Sequence, residues 1–123
     1  MGIGRQVITK PIGDIPIVSF ITVHNNMVYL SGVTADPEHL GDIKDQTRQV
    51  LDRIHRLLKR AGTDKSKLLN AQVWLTDTAN FADHNSVWNE WVDPDNPPAR
   101  ACLESRHLWR PGMLVEIMAT AAR

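Results

Sequence analysis

One amphipathic segment constrains this chain more than any other. Ile43, Thr47, Val50, Leu51, Ile54, Leu57, Leu58 and Ala61 recur at three- and four-residue intervals, which predicts an α-helix with one buried stripe. Asp42 and Asp45 complement the positive helix start, Lys59 and Arg60 complement its negative end, and Gly62 is placed to stop it. A helix with one apolar side must lie on something, and its neighbours in sequence read as strands.

Arg5 to Thr9 and Ser19 to Ser31 are rich in β-branched residues, and Asn25-Asn26 interrupts the second stretch with residues that tolerate a left-handed turn. A strand followed by a hairpin is expected, with a loop at Lys10-Pro11 and Gly13 to Pro16 between them. Leu68 to Thr76 alternates Leu69, Ala71, Val73 and Leu75 against Trp74, the pattern of a central strand. Asp77 or Thr78 can cap a second helix with Phe81, Asn85, Trp88 and Val92 on one side and Trp91 beside them. Val92 to Pro98 is a loop by its prolines, and two final strands, Ala99 to Ser105 and Met113 to Ala121, flank a turn at Arg110-Pro111-Gly112. The order β-ββ-α-β-α-ββ predicts an α/β sandwich in which two helices cover one face of a mixed sheet. No third helix is available for the second face, so it is expected to close against copies of the same chain. At 123 residues and 42% apolar content, residues 1–123 are expected to form one domain.

Lysine plus arginine and aspartate plus glutamate are each 14, so no global field favours nucleic acid. No apolar run is long enough to span a bilayer and no export leader is evident, so a cytoplasmic protein without membrane contact is expected. The lone Cys102 can form no internal disulfide. Neither GxGxxG nor GxxxxGK[ST] is present, and the histidines at 24, 39, 55, 84 and 107 lack metal-ligand spacing, so no cofactor and no metal are expected.

Strand periodicity in PPARACLES, Pro97 to Ser105, places Arg100, Cys102 and Glu104 on one face and Ala101 and Leu103 on the other. Arg100 offers a planar fork of donors for a carboxylate; the alternative is a structural ion pair with Glu104 or Glu116. Glu116, between Val115 and Ile117, is either an exposed strand residue or a carboxylate that orients water. Asn85 is a candidate polar contact or a loop tie, and Cys102 a nucleophile without an evident base or a small hydrophobe. Arg53, Arg56, Lys59 and Arg60 form a basic helix patch that solvation explains.

These segments together resemble the RidA/YjgF family, formerly labelled translation inhibitors or L-PSP endoribonucleases. The resemblance rests on VYLSG ending at Gly32, DIKDQTRQVLDRIHRLLKRAG from Asp42, VWLTDTANFADHNSVW from Val73, PPARACLE from Pro97, and PGMLVEI from Pro111. It implies a chorismate-mutase-like fold and a homotrimeric barrel with clefts between subunits. It further implies that Arg100 holds a substrate carboxylate, that Glu116 attends the hydrolytic water, and that Cys102, Ser31, Gly32 and Asn85 line the cleft. The family's usual tyrosine falls on Val18, and the glutamine that commonly follows SG is Val33. The implied activity is hydrolysis of reactive 2-imino or enamine acids to 2-keto acids and ammonia. The alternatives are a noncatalytic small-carboxylate-binding or regulatory trimer and a ribonuclease, the last supported by neither charge nor a histidine pair.

Overall fold

The computed structural model describes residues 2–123. One seven-stranded sheet is formed by β1 (Gly4–Ile8), β2 (Ser19–His24), β3 (Met27–Leu30), β4 (Val33–Thr34), β5 (Leu68–Leu75), β6 (Ala99–Glu104) and β7 (Val115–Ala122). Two helices, α1 (Ile43–Arg60) and α2 (Phe81–Trp91), pack together on one face. The strand order is β1-β2-β3-β7-β5-β6, with β4 also paired to β7. Every pairing is antiparallel except β5 with β6.

α1 forms where its stripe predicts. Ile43, Thr47, Val50, Leu51, Ile54, Leu57 and Leu58 are all buried, each apolar side chain contributing about 1.5–3 kcal/mol by leaving water. At its start Asp42 and Asp45 make a reciprocal capping box, with Asp45 N–H donating to Asp42 Oδ1 at 2.9 Å. At its end Thr63 N–H reaches Leu58 C=O and Gly62 N–H reaches Lys59 C=O, while Gly62 adopts φ 83°. That left-handed conformation favours glycine over any side chain. Buried Gln46 ties the helix to the loop before β7: its Nε2 donates to Gly41 C=O and Gly112 C=O, and its Oε1 accepts from Leu114 N–H.

Three sequence expectations need correction, and the structure adds the pairing of the last two strands. In β5 the alternation begins at Leu68, which is buried, and not at Leu69, which is 46% exposed, because an irregularity between Leu68 and Asn70 shifts the register. The final strands flank the Arg110-Pro111-Gly112 turn without pairing with each other. β6 adds to the edge of the sheet parallel to β5, and β7 then crosses to the far side of β5 and inserts beside β3 and β4. Asp77 caps a short 3-10 turn, Thr78–Asn80, rather than α2 itself. The buried side of α2 is His84, Val87 and Trp88, whereas Phe81 is exposed.

The face of the sheet away from the helices carries Trp74, Leu103 and Met118, with Leu103 51% exposed. The same face also carries Asn70, Gln72 and Thr120, so a mixed face with exposed apolar side chains remains open on the single chain.

Candidate functional site

β6 pairs with β5 so that Arg100 stands opposite Ala71, Cys102 opposite Val73 and Glu104 opposite Leu75. Paired residues share a face, so Arg100 and Cys102 point to the helix side of the edge strand. There α2 receives Arg100. One guanidinium nitrogen donates to Asn85 Oδ1 at 2.6 Å, a second lies 3.2 Å from His84 Nε2, and the group sits over the Trp88 ring at 5.0 Å. Arg100 therefore pairs with neither Glu104 nor Glu116; the Glu104 carboxylate instead accepts from Thr78 N–H at the turn before α2.

The tautomer of His84 follows from its neighbours. Thr47 Oγ1 lies 2.8 Å from Ile43 C=O and 3.0 Å from His84 Nδ1. A hydroxyl has one proton, and Ile43 C=O can only accept it. Thr47 must then accept from Nδ1–H, which leaves the Nε2 lone pair to accept from Arg100. Two of the five guanidinium N–H donors are thereby committed within the chain, and the others are free for a ligand.

Burial, and after it the charge of Arg100, lowers the His84 pKa from its ordinary 6.5 to about 4. The unfolded chain binds more protons between those values, so this contribution to stability is full above pH 6.5 and is lost as the pH falls to 4. The expected loss is about 3 kcal/mol. Urea unfolding at a series of pH values checks it: His84→Gln should flatten that part of the profile, and an unchanged slope would mean that His84 is accessible to protons in the fold.

Cys102 is half-buried beside Arg100. Burial pushes its thiol pKa up, with the nearby guanidinium opposing. No basic side chain bonds to it among the described residues, so the thiol form prevails at neutral pH.

Glu116 belongs to the opposite face. It stands opposite Trp74 on one side and Thr34 on the other, in the set of β7 residues that alternates with buried Val115 and Ile117. Its carboxylate is half-buried, has no hydrogen bond or ion pair among the described residues, and burial raises its pKa above the usual glutamate value. The Ser31-Gly32 backbone crosses directly over it. A Cβ added at Gly32 would collide with the carboxylate, with Glu116 Cδ only 3.2 Å away. Glycine is needed here for close approach. Gly32→Ala should leave the fold intact but displace Glu116, which a crystal structure of the variant would show as a changed Glu116 rotamer. An unmoved carboxylate would mean that the backbone yields instead.

The carboxylate opens into a cleft of about 330 Å³ lined also by Val18, Phe20, Ser31, Gly32, Thr34, Arg53 and Trp109. Its walls are tied together locally: Ser31 N–H donates to Phe20 C=O, Val18 N–H to Thr9 Oγ1, and Trp109 Nε1–H to Thr34 Oγ1. Among the described residues no cluster of side chains could hold a metal ion.

The expected site residues thus fall into two groups. Val18, Ser31, Gly32 and Glu116 meet in the cleft, while Asn85, Arg100 and Cys102 meet under the edge strand, with the sheet between them. His84, Phe20 and Trp109 were not foreseen from sequence. For His84 a signal existed, since His84, Val87, Trp88 and Trp91 follow helical spacing better than the stripe through Phe81, once a histidine is admitted to the buried side.

A mixed sheet with two helices on one face and a candidate site divided between its edge and its open face defines a small α/β protein of distinctive construction. The profile of the family described as Endoribonuclease L-PSP matches residues 15–123. A RutC family protein of Haemophilus ducreyi is 40% identical over 104 residues, 85% of this chain and 87% of that one. The RutC family protein YoaB of Escherichia coli is 37% identical over 105 residues, covering 85% and 89%. The crystal structure of a YjgF family member from Neisseria meningitidis superposes with a TM-score of 0.88 at 36% identity, covering 100% of this chain and 96% of that one. The chain belongs to the RidA/YjgF family, which includes the RutC proteins.

Proposed function

We propose that the protein hydrolyses 2-imino acids, and their enamine tautomers, to 2-keto acids and ammonia, in a site completed by a second copy of the chain. The observation that carries this reading is the half-buried, unpaired Glu116 carboxylate in a small cleft under the Gly32 backbone. A carboxylate whose pKa is raised by burial is a better base than one in water, and an imine carbon is already electrophilic. Glu116 takes a proton from water as its oxygen bonds to the imine carbon. Glu116 delivers that proton to the imine nitrogen to give a carbinolamine, then takes up the carbinolamine hydroxyl proton as the carbonyl forms and passes it to the departing nitrogen, which leaves as ammonia. Arg100, braced by Asn85 and His84, anchors the substrate carboxylate from a neighbouring subunit, since within one chain it lies across the sheet from Glu116. The open sheet face, with Leu103 and Met118 exposed on it, and the edge position of β6 suit a homotrimer that brings the two together. No cofactor takes part in this scheme.

A coupled assay following the decay of enzymatically generated straight-chain, branched and aromatic 2-imino acids tests the proposal. Faster release of 2-keto acid is expected. Light scattering at micromolar concentration should give a trimer, and a monodisperse monomer would leave Arg100 and Glu116 apart and remove the site.

A second reading, a noncatalytic carboxylate-binding or regulatory trimer, is favoured by Val18, which gives the cleft an apolar wall without a hydroxyl. Absence of turnover across all three substrate types would select it. A ribonuclease draws no support from the cleft, whose lining contains no histidine, or from the balanced charge.

A further inference from the structure

Arg53 takes no part in the proposed hydrolysis, yet it lines the cleft that Glu116 occupies. It projects from the middle of α1, is half-buried, and its guanidinium lies over Phe20, 4.4 Å from the ring centroid. Of the acids nearby, Asp52 pairs with Arg56 at 3.1 Å and Asp14 approaches Arg110 at 3.8 Å, while Glu116, in the same cleft, makes no ion pair with Arg53. Among the described residues no carboxylate pairs with Arg53. A partly desolvated guanidinium without a counter-ion is uncommon, because it surrenders hydration without an opposite charge in return. Burial, then the like charge of Arg56, lowers the Arg53 pKa, and the opposite charge of an incoming anion would offset both.

The position of Arg53 along the cleft is informative. The inner space of about 330 Å³ contains Glu116. A wider groove of about 640 Å³ continues outward without Glu116, and Phe20, Thr34, Trp109 and Arg53 line both. Arg53 therefore stands at the junction, held by its ring partner with its fork open to whatever extends out of the inner cleft. We propose that Arg53 is a second anion-binding position, which makes the preferred ligands of the cleft 2-imino or 2-keto acids carrying a second, distal carboxylate. The inference rests on the reading of Glu116 and Arg100 as the reacting end of the site. The distal oxyanion would be gripped by a planar, oriented donor fork in apolar surroundings, where charge-assisted hydrogen bonds are strongest.

Calorimetry on the assembled protein with 2-ketoglutarate and 2-ketopentanoate, which differ at the far end, tests this independently of turnover. The dicarboxylate should bind about tenfold more tightly or better. In Arg53→Met, with folding verified by thermal melting, the ratio should collapse toward one. Arg53→Lys should retain part of it, and inorganic phosphate should compete weakly because it spans only one end. Equal affinities in the wild type, or a ratio unchanged in Arg53→Met, would overturn the proposal, as would phosphate competing as well as the dicarboxylate. Turnover of imino acids without a dicarboxylate preference would reject Arg53 and leave the hydrolase reading standing. A preference abolished in Arg53→Met, without any turnover, would do the reverse.

Discussion

Glu116→Gln should leave fold, assembly and ligand binding in place and slow 2-imino acid hydrolysis by about a hundredfold or more, the usual cost of losing a positioned acid or base. The amide keeps the shape that fits beneath Gly32 but can neither accept a proton from water nor return one to the leaving nitrogen. The wild type carries a further signature. Burial raises the Glu116 pKa, and the base must be ionised to act, so kcat should fall as the pH drops through a value above the ordinary glutamate range. That acid limb should vanish from the residual rate of the variant. If the Gln variant turned over at the wild-type rate with assembly intact, water would have to be activated by backbone groups or by Cys102.

Arg100→Lys should weaken small-carboxylate binding about tenfold or more although the charge is kept. The guanidinium is useful here because it does three things at once. It lies over Trp88, donates to Asn85 and His84 Nε2, and still has N–H groups to offer a ligand side by side. An ammonium has a single centre, and satisfying Asn85 and His84 would draw it back under the strand. Calorimetry with 2-keto acids reads the effect, with thermal melting as the control for folding. Unchanged affinity in a folded variant would assign Arg100 a structural role and place the anion site elsewhere, with Arg53 the nearest candidate.

Much of the helical layer was legible because α1 is long, singly striped, capped at its start by Asp42 and Asp45 and stopped at its end by Gly62. α2 was less so. Its buried side includes a histidine satisfied by Thr47 and Arg100, contacts that only the fold supplies, and apolar Phe81 drew the stripe toward the wrong face. Period-two reasoning correctly grouped Arg100 with Cys102 and opposed them to Ala101 and Leu103. It could not relate that face to the face of Glu116, because strand periodicity carries no information about which strands are neighbours. The sequence places β6 and β7 on either side of a turn and leaves their partners open; in the fold β5 lies between them. Arg100 and Glu116 are separated in one chain both by β5 and by facing opposite sides of the sheet. The resemblance to the family named the residues; it took the sheet order to divide them.

The placement of β7 also sets a timetable. It is the strand that joins β3 and β4 to β5, yet it follows all of them in the chain. While the polypeptide is being made, β1-β2-β3 and the β5-β6 pair have no hydrogen-bonded strand between them, and Ile21, Leu30 and Val73 lack the Ile117 and Ala119 side chains that complete the core. The sheet can close only once residues 115–122 have emerged, and its closing contacts are among the longest in sequence that the molecule makes. Folding should therefore be a late, single event governed by long-range pairing rather than a progressive one, and slow relative to formation of α1, whose contacts are local.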